Sequence, residues 1–196
     1  MTDTNKNLFN LDELSGYKVA DDYSDVRGWD VKDANDRTIG KVDHLLVNKI
    51  AERVVYLDVE VDEELIVNGH DTYETRVSDG VHQFLNKDGE NHLIIPIGMA
   101  TIDDENKQVI TNQIDSATFA KAKRFRKGDV LDFDYELNLV RHYKADNTIQ
   151  SSNSVDEFYN REEFKNTFHR YFIIVFFVIL VVSHRLRVIY VSFFIF

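Results

Sequence analysis

The stretch from Arg53 to Asp62 constrains the fold more than any other. Val55, Leu57, Val59 and Val61 alternate with Tyr56, Asp58, Glu60 and Asp62, a period of two that belongs to a strand and not to a helix. The pattern predicts one buried face and one wet face, as antiparallel sheets commonly have. Tyr56, Asp58 and Glu60 then lie on the wet face, with Tyr56 at least partly exposed. They are the candidate protein-contact residues, since aromatic side chains are enriched where proteins meet.

Neighbouring segments read as further short strands. Trp29 to Asp33 alternates Trp and Val with charged residues, and Ala34 to Arg37 is a turn by composition. Ile39 to Val47 follows as a strand, with Gly40 near its start where the backbone can bend, and Asn48 to Glu52 is a second turn. Residues 63–91 are a long polar excursion with a short strand near Tyr73 to Val77. His92 to Ala100 is apolar on both faces and is expected at the centre of the core, although Pro96 cannot donate to a ladder and requires an edge or a bulge. Asp103 to Lys107 closes a hairpin into Gln108 to Thr111. The period then changes. Asp115-Ser116-Ala117-Thr118 has the form of a helix start. A second helix is predicted from about Asp134 to Tyr143, with Phe133, Leu137 and Val140 at helical spacing. Asp134 and Glu136 in its first turn and Arg141 and Lys144 at its end suit the helix dipole. Short strands, tight turns and one excursion fit a small barrel or a sandwich; periodicity does not choose between them.

Charge is divided unevenly. Residues 1–160 hold 32 acidic and 18 basic side chains, a net of −14, whereas residues 161–196 hold 2 acidic and 5 basic, a net of +3. An acidic body argues against nucleic acid as a partner, because phosphate binding needs a basic footprint. The chain has no cysteine, which excludes disulfides and thiolate metal sites and fits a reducing compartment. The first seven residues lack an apolar run behind a basic patch and do not read as a secretory signal.

Chemistry-bearing residues are sparse. His70, Asp71, Asp79, His82, Asp88 and His92 could ligate a metal, but their spacing forms no compact ligand motif and reads first as a solvated loop. The acidic runs Asp62-Glu63-Glu64 and Asp103-Asp104-Glu105 lack the Gly-spaced pattern of a calcium loop and read as turn caps. Trp29 is expected in the core. There is no G-x-S-x-G and no Gly-rich phosphate loop. No catalytic residue, metal site or cofactor is therefore expected, and the chain is expected not to be an enzyme; the lesser alternative is a metal-dependent hydrolase using the His70 to His92 excursion.

Several pieces, in order, resemble one family. Tyr17 to Trp29, with its Val19-Ala20-Asp21 stretch and Gly28 before the first strand, is similar to the entry of the C-terminal cytoplasmic domain of the photosynthetic reaction centre H subunit. Ile39-Gly40-Lys41-Val42-Asp43-His44-Leu45-Leu46-Val47, Val54 to Val59 and Leu93-Ile94-Ile95-Pro96-Ile97-Gly98 resemble successive strands of that domain. Phe119-Ala120, Arg141-His142-Tyr143 and Phe158-Tyr159-Asn160 resemble its later markers. The resemblance covers roughly residues 15–160 and places the chain with PRC-barrel proteins. It implies a mainly β fold with C-terminal helices (α+β), a small antiparallel PRC-type β-barrel, and a role as a scaffold or protein-interaction module that binds a protein partner or itself. An H-type photosynthetic role would use an acidic surface, here Asp21, Asp22, Asp25 and Asp43, to assist proton delivery to a quinone. The H subunit carries its membrane helix before the barrel, and residues 1–14 cannot span a bilayer.

The expected divisions are a polar arm at 1–14, the PRC-type barrel at 15–114, a helical extension at 115–145, a linker with an aromatic motif at 146–167, and a hydrophobic tail at 168–196. Tyr171 to Val182 is a run of 12 apolar residues, followed by Ser183 to Arg187 and a second apolar run. As a helix the first run reaches about 18 Å, short of a ~30 Å hydrocarbon core. All of 171–196 reaches about 39 Å but carries two Arg near its middle. Three readings stay open: a membrane anchor that leaves the body cytoplasmic, a segment packed on the barrel, or an end altered by a shifted reading frame.

Overall fold

A computed structural model describes residues 6–21, 23–62, 90–150 and 155–165. The fold is mostly β sheet with a few helices. Its strands are β1 (Leu8–Asn10), β2 (Asp30–Lys32), β3 (Thr38–Asn48), β4 (Arg53–Val61), β5 (His92–Pro96), β6 (Thr101–Asp103) and β7 (Gln108–Ile110). Helices α1 (Ser116–Lys121), α2 (Phe133–Lys144) and α3 (Val155–Tyr159) follow, with 3₁₀ turns at Leu11–Glu13, Ile97–Met99 and Glu162–Phe164. Among the described residues no helix is long and apolar enough to cross a membrane. Most of the polar excursion, including the expected strand near Tyr73 to Val77, and the tail from 166 lie outside the described residues.

The sheet runs β5-β4-β3-β2-β7-β6, with β1 on β3. The long strand β3 makes this possible. It pairs with β4 along most of its length, while β2 takes Thr38 to Lys41 and β1 takes Leu46 to Asn48. Two expectations are corrected here. The sheet is not wholly antiparallel, because β2 and β7 pair in parallel. They are far apart in sequence, so no tight hairpin dictates their direction. Nor is the sheet closed into a barrel: no ladder joins β5 to β6 among the described residues. Pro96 ends β5 without a donor, and the Ile97–Met99 turn carries the chain out of the ladder. The free edge of β5 is satisfied otherwise. The Tyr143 hydroxyl donates to the Ile94 carbonyl at 3.0 Å, and His92 exchanges backbone bonds with Phe125 at 3.1 and 2.9 Å. β5 is thus buried along its whole length, yet last in strand order.

β4 has no wet face. Val55 through Val59 are all buried, because the segments after the sheet cover the side expected to meet water. Tyr56 is fully buried and meets the Phe164 ring edge-on at 5.2 Å. Phe158, Tyr159 and Phe164, from the stretch expected as linker, are all core residues. Phe158 packs against Phe133 at 4.8 Å and Phe164 at 5.0 Å. The guanidinium of Arg53 donates to the Tyr159 carbonyl. Gly98 lets this hook sit down, since a Cβ there would collide with the carbonyls of Glu162 and Glu163.

Helix boundaries follow their caps. Asp115 accepts from the Thr118 amide at 2.8 Å to start α1, and Asp132 accepts from the Tyr135 amide at 2.7 Å to start α2. Leu137, Leu139, Val140 and Tyr143 form the buried stripe of α2.

Gly40 is required by packing more than by bending. It pairs with Val31 on one side and Val61 on the other, and a Cβ would strike the Glu60 carbonyl. Gly40→Ala is expected to lower unfolding free energy by about 2 kcal/mol, because backbone must move on both sides. Urea denaturation checks this; an unchanged midpoint would show that the β3–β4 ladder yields freely.

Candidate functional site

A β-bulge organises the polar cluster of the sheet. The β3–β4 register slips between Val42 and His44, leaving Asp43 as the extra residue; bulges re-aim side chains in this way. The Asp43 carboxylate lies 2.5 Å from the Lys127 ammonium, 3.3 Å from His44 Nε2 and 3.9 Å from His92 Nε2. On β4, Asp58 Oδ1 lies 2.9 Å from His92 Nδ1. Asp58 and His92 are both buried. Phe125 stacks at a tilt on His92, 5.7 Å between ring centres.

The electrostatics are nearly self-balancing. Burial opposes the His92 charge, but the Asp58 hydrogen bond and the charges of Asp58, Asp43 and Glu60 prevail and raise its pKa. Burial opposes ionisation of Asp43, yet Lys127, His44 and His92 hold its pKa below the ordinary value. Lys127 is raised in turn, chiefly by its bond to Asp43. Two carboxylates therefore face one ammonium and a histidine biased toward its cation.

Asp43, His44 and Asp58 offer donor atoms within 4.8 Å of one another, a spacing a metal ion could use. Lys127 already occupies the Asp43 carboxylate, and Asp58 is engaged by His92, so an ion would have to displace an existing charge partner. A His–Asp pair also evokes general-base chemistry, but here His92 Nε2 turns toward a carboxylate instead of a hydroxyl or thiol nucleophile. The arrangement is best suited to holding the 125–127 segment against β3, β4 and β5.

Residues singled out from sequence are dispersed. Tyr56 and Asp58 are interior, correcting their expected exposure; of that set only Glu60 is exposed, accepting from Asn91 at 3.2 Å. His70, Asp71, Asp79, His82 and Asp88 lie outside the described residues, and His92 belongs to β5. Asp103 caps its turn, accepting from the Asn106 amide at 3.1 Å and the Gln108 side chain at 2.9 Å. Asp25 pairs with Arg27 and Asp21 with Lys18, both away from Asp43 in bonding; Asp22, Glu63 and Glu64 lie outside the described residues. Trp29 is half-buried against the core, with the Lys107 ammonium 4.6 Å above its ring.

The segment pinned by this cluster is itself unusual. Lys121-Ala122-Lys123-Arg124-Phe125-Arg126-Lys127 carries five basic side chains and no acidic one, within a body that is otherwise acidic. Its composition is a signal that whole-chain charge averaging conceals. Lys121, Lys123 and Arg126 are exposed, and Arg124 is buried.

Comparison with known families matches residues 18–117 to the PRC-barrel domain, just over half of the 196-residue chain. The chain belongs to the PRC-barrel family. No curated protein matches it. The PRC-barrel match takes in β2 through β7 and the start of α1, so Asp43, His44, Asp58 and His92 fall inside it. The basic run, α2 and the aromatic hook follow it.

Proposed function

We propose that this PRC-barrel chain is a non-catalytic scaffold or interaction module that docks a protein partner or a second copy of itself. The family match over residues 18–117 carries the reading. It is supported by the bulge cluster, in which Asp43 meets Lys127, Asp58 meets His92, and among the described residues no nucleophile is presented to His92. Capture from a native lysate is expected to recover a stoichiometric protein, or sizing with light scattering a defined homo-oligomer. Substrate turnover that is lost on mutating His92 or Asp43 would sink this reading.

A second, finer reading follows from the ordered resemblance of Ile39 to Val47 and Leu93 to Gly98 to the reaction centre H subunit. In it the chain is a membrane-associated subunit assisting electron or proton transfer to a quinone. Neighbouring genes for reaction-centre or pigment-synthesis proteins would favour it.

Both readings place the working part before the hydrophobic tail, and the body on the cytoplasmic side. A chain ending at Asn166 is expected to melt cooperatively by circular dichroism, whereas the full chain pellets with membranes or aggregates. An unfolded truncation beside a monomeric full chain would make the tail part of the core.

A further inference from the structure

We propose that the basic run 121–127 is a docking surface for an acidic segment of a partner protein, with Arg124 the residue that receives a partner carboxylate. The proposal rests on the interaction-module reading and names the chemistry of the partner.

Arg124 carries the argument. It is 2% exposed, and among the described residues its Nε, Nη1 and Nη2 all lack a hydrogen-bond partner. Burying an unpaired guanidinium opposes folding, and a methionine would fill the same volume without the charge. A structural role alone does not account for it. Glu90 is near enough to attract it through space, but no bond from a described residue satisfies the fork. A planar guanidinium is matched by a carboxylate through two parallel bonds. Receiving a partner carboxylate requires this long side chain to turn outward from its buried position.

The flanking charges are available as well. Among the described residues no carboxylate lies within ion-pair distance of Lys121, Lys123 or Arg126. Lys127 acts differently. Its bond to Asp43, together with the Phe125–His92 backbone pairing, holds the run at two points. A surface fixed in advance loses less entropy on binding. The net −14 of residues 1–160 repels an extended nucleic acid or an anionic membrane, which must lie against more than this strip. A short acidic peptide touches the strip alone.

The test uses the full chain in mild detergent and fluorescence anisotropy. The probe is a fluorescein-labelled peptide of alternating Glu and Ala, run beside labelled oligothymidylate and mixed micelles of phosphatidylserine in the same detergent. The peptide is expected to bind saturably and weaken with salt. Combined Lys121→Glu, Lys123→Glu and Arg126→Glu should cost about tenfold or more in affinity. Arg124→Met should cost a similar factor while the melting temperature holds or rises. No peptide binding, binding indifferent to the triple reversal, or preference for oligothymidylate or phosphatidylserine micelles would overturn the proposal. So would a lower melting temperature in Arg124→Met with affinity intact, which makes Arg124 structural. If the triple variant still captures the lysate partner, the strip is not the docking surface while the module reading stands.

Discussion

Phe158→Ala is expected to remove about 3–5 kcal/mol of unfolding free energy, the range for emptying a buried aromatic site. Phe158 is fully buried and meets the rings of Phe133, Tyr159 and Phe164 at 4.8 to 5.3 Å. Phe164 in turn meets Tyr56 of β4, so the lost ring is one step from the sheet. The hook cannot slide to refill the space, because its backbone already touches Gly98. Urea denaturation followed by circular dichroism reads the effect. A loss below about 1 kcal/mol, the scale of a surface substitution, would mean that residues 155–165 are an appended linker and not part of the core.

Stability is also expected to fall as pH rises from about 4.5 to 7, and Glu136 is the main cause. It lies on α2, fully buried, with Oε2 accepting from the Tyr159 hydroxyl at 2.5 Å and Oε1 without a partner among the described residues. Burial pushes its pKa up to about 7 from 4.5, against the opposing hydroxyls of Tyr159 and Tyr56. The folded state therefore holds this proton more tightly than the unfolded chain does. The stability it contributes is complete below about 4.5 and is lost as pH climbs through about 7. That span is worth about 3 kcal/mol, or roughly 6–12 °C in melting temperature for a chain of this size. His92 has the same sign: its raised pKa gives stability that is full below 6.5 and lost above. Asp25, Asp33, Asp43 and Asp115, all lowered, act oppositely and below 3.8. Glu136→Gln should flatten most of the decline between pH 5 and 7.5. A wild-type melting temperature that is level across that interval would show that the carboxyl reaches water.

Local pattern and tertiary placement decided different things here. Alternation in Arg53 to Asp62 was enough to specify β4, and the Asp115 cap and the 133, 137, 140 spacing were enough for α1 and α2. These are short-range effects of side-chain period and backbone donors, written in consecutive residues. The order of Gly40, Pro96 and the flanking apolar runs was likewise enough to suggest the family. Which face of β4 meets water was not so written, because Tyr56 and Asp58 are covered by residues far along the chain, among them Phe164 and His92. The same holds for the parallel β2–β7 pair, the unclosed β5 edge, and the bulge that turns Asp43 toward Lys127. Glu136 reads in sequence as an ordinary first-turn acid and becomes a buried carboxyl only when the hook folds over it. The basic run was visible as letters, but its pairing was not. Folding alone separated Lys127, which is engaged by Asp43, from Arg124, whose charge no described residue bonds. Burial and charge pairing are properties of neighbours in space, and distant segments supply those neighbours only when the chain folds.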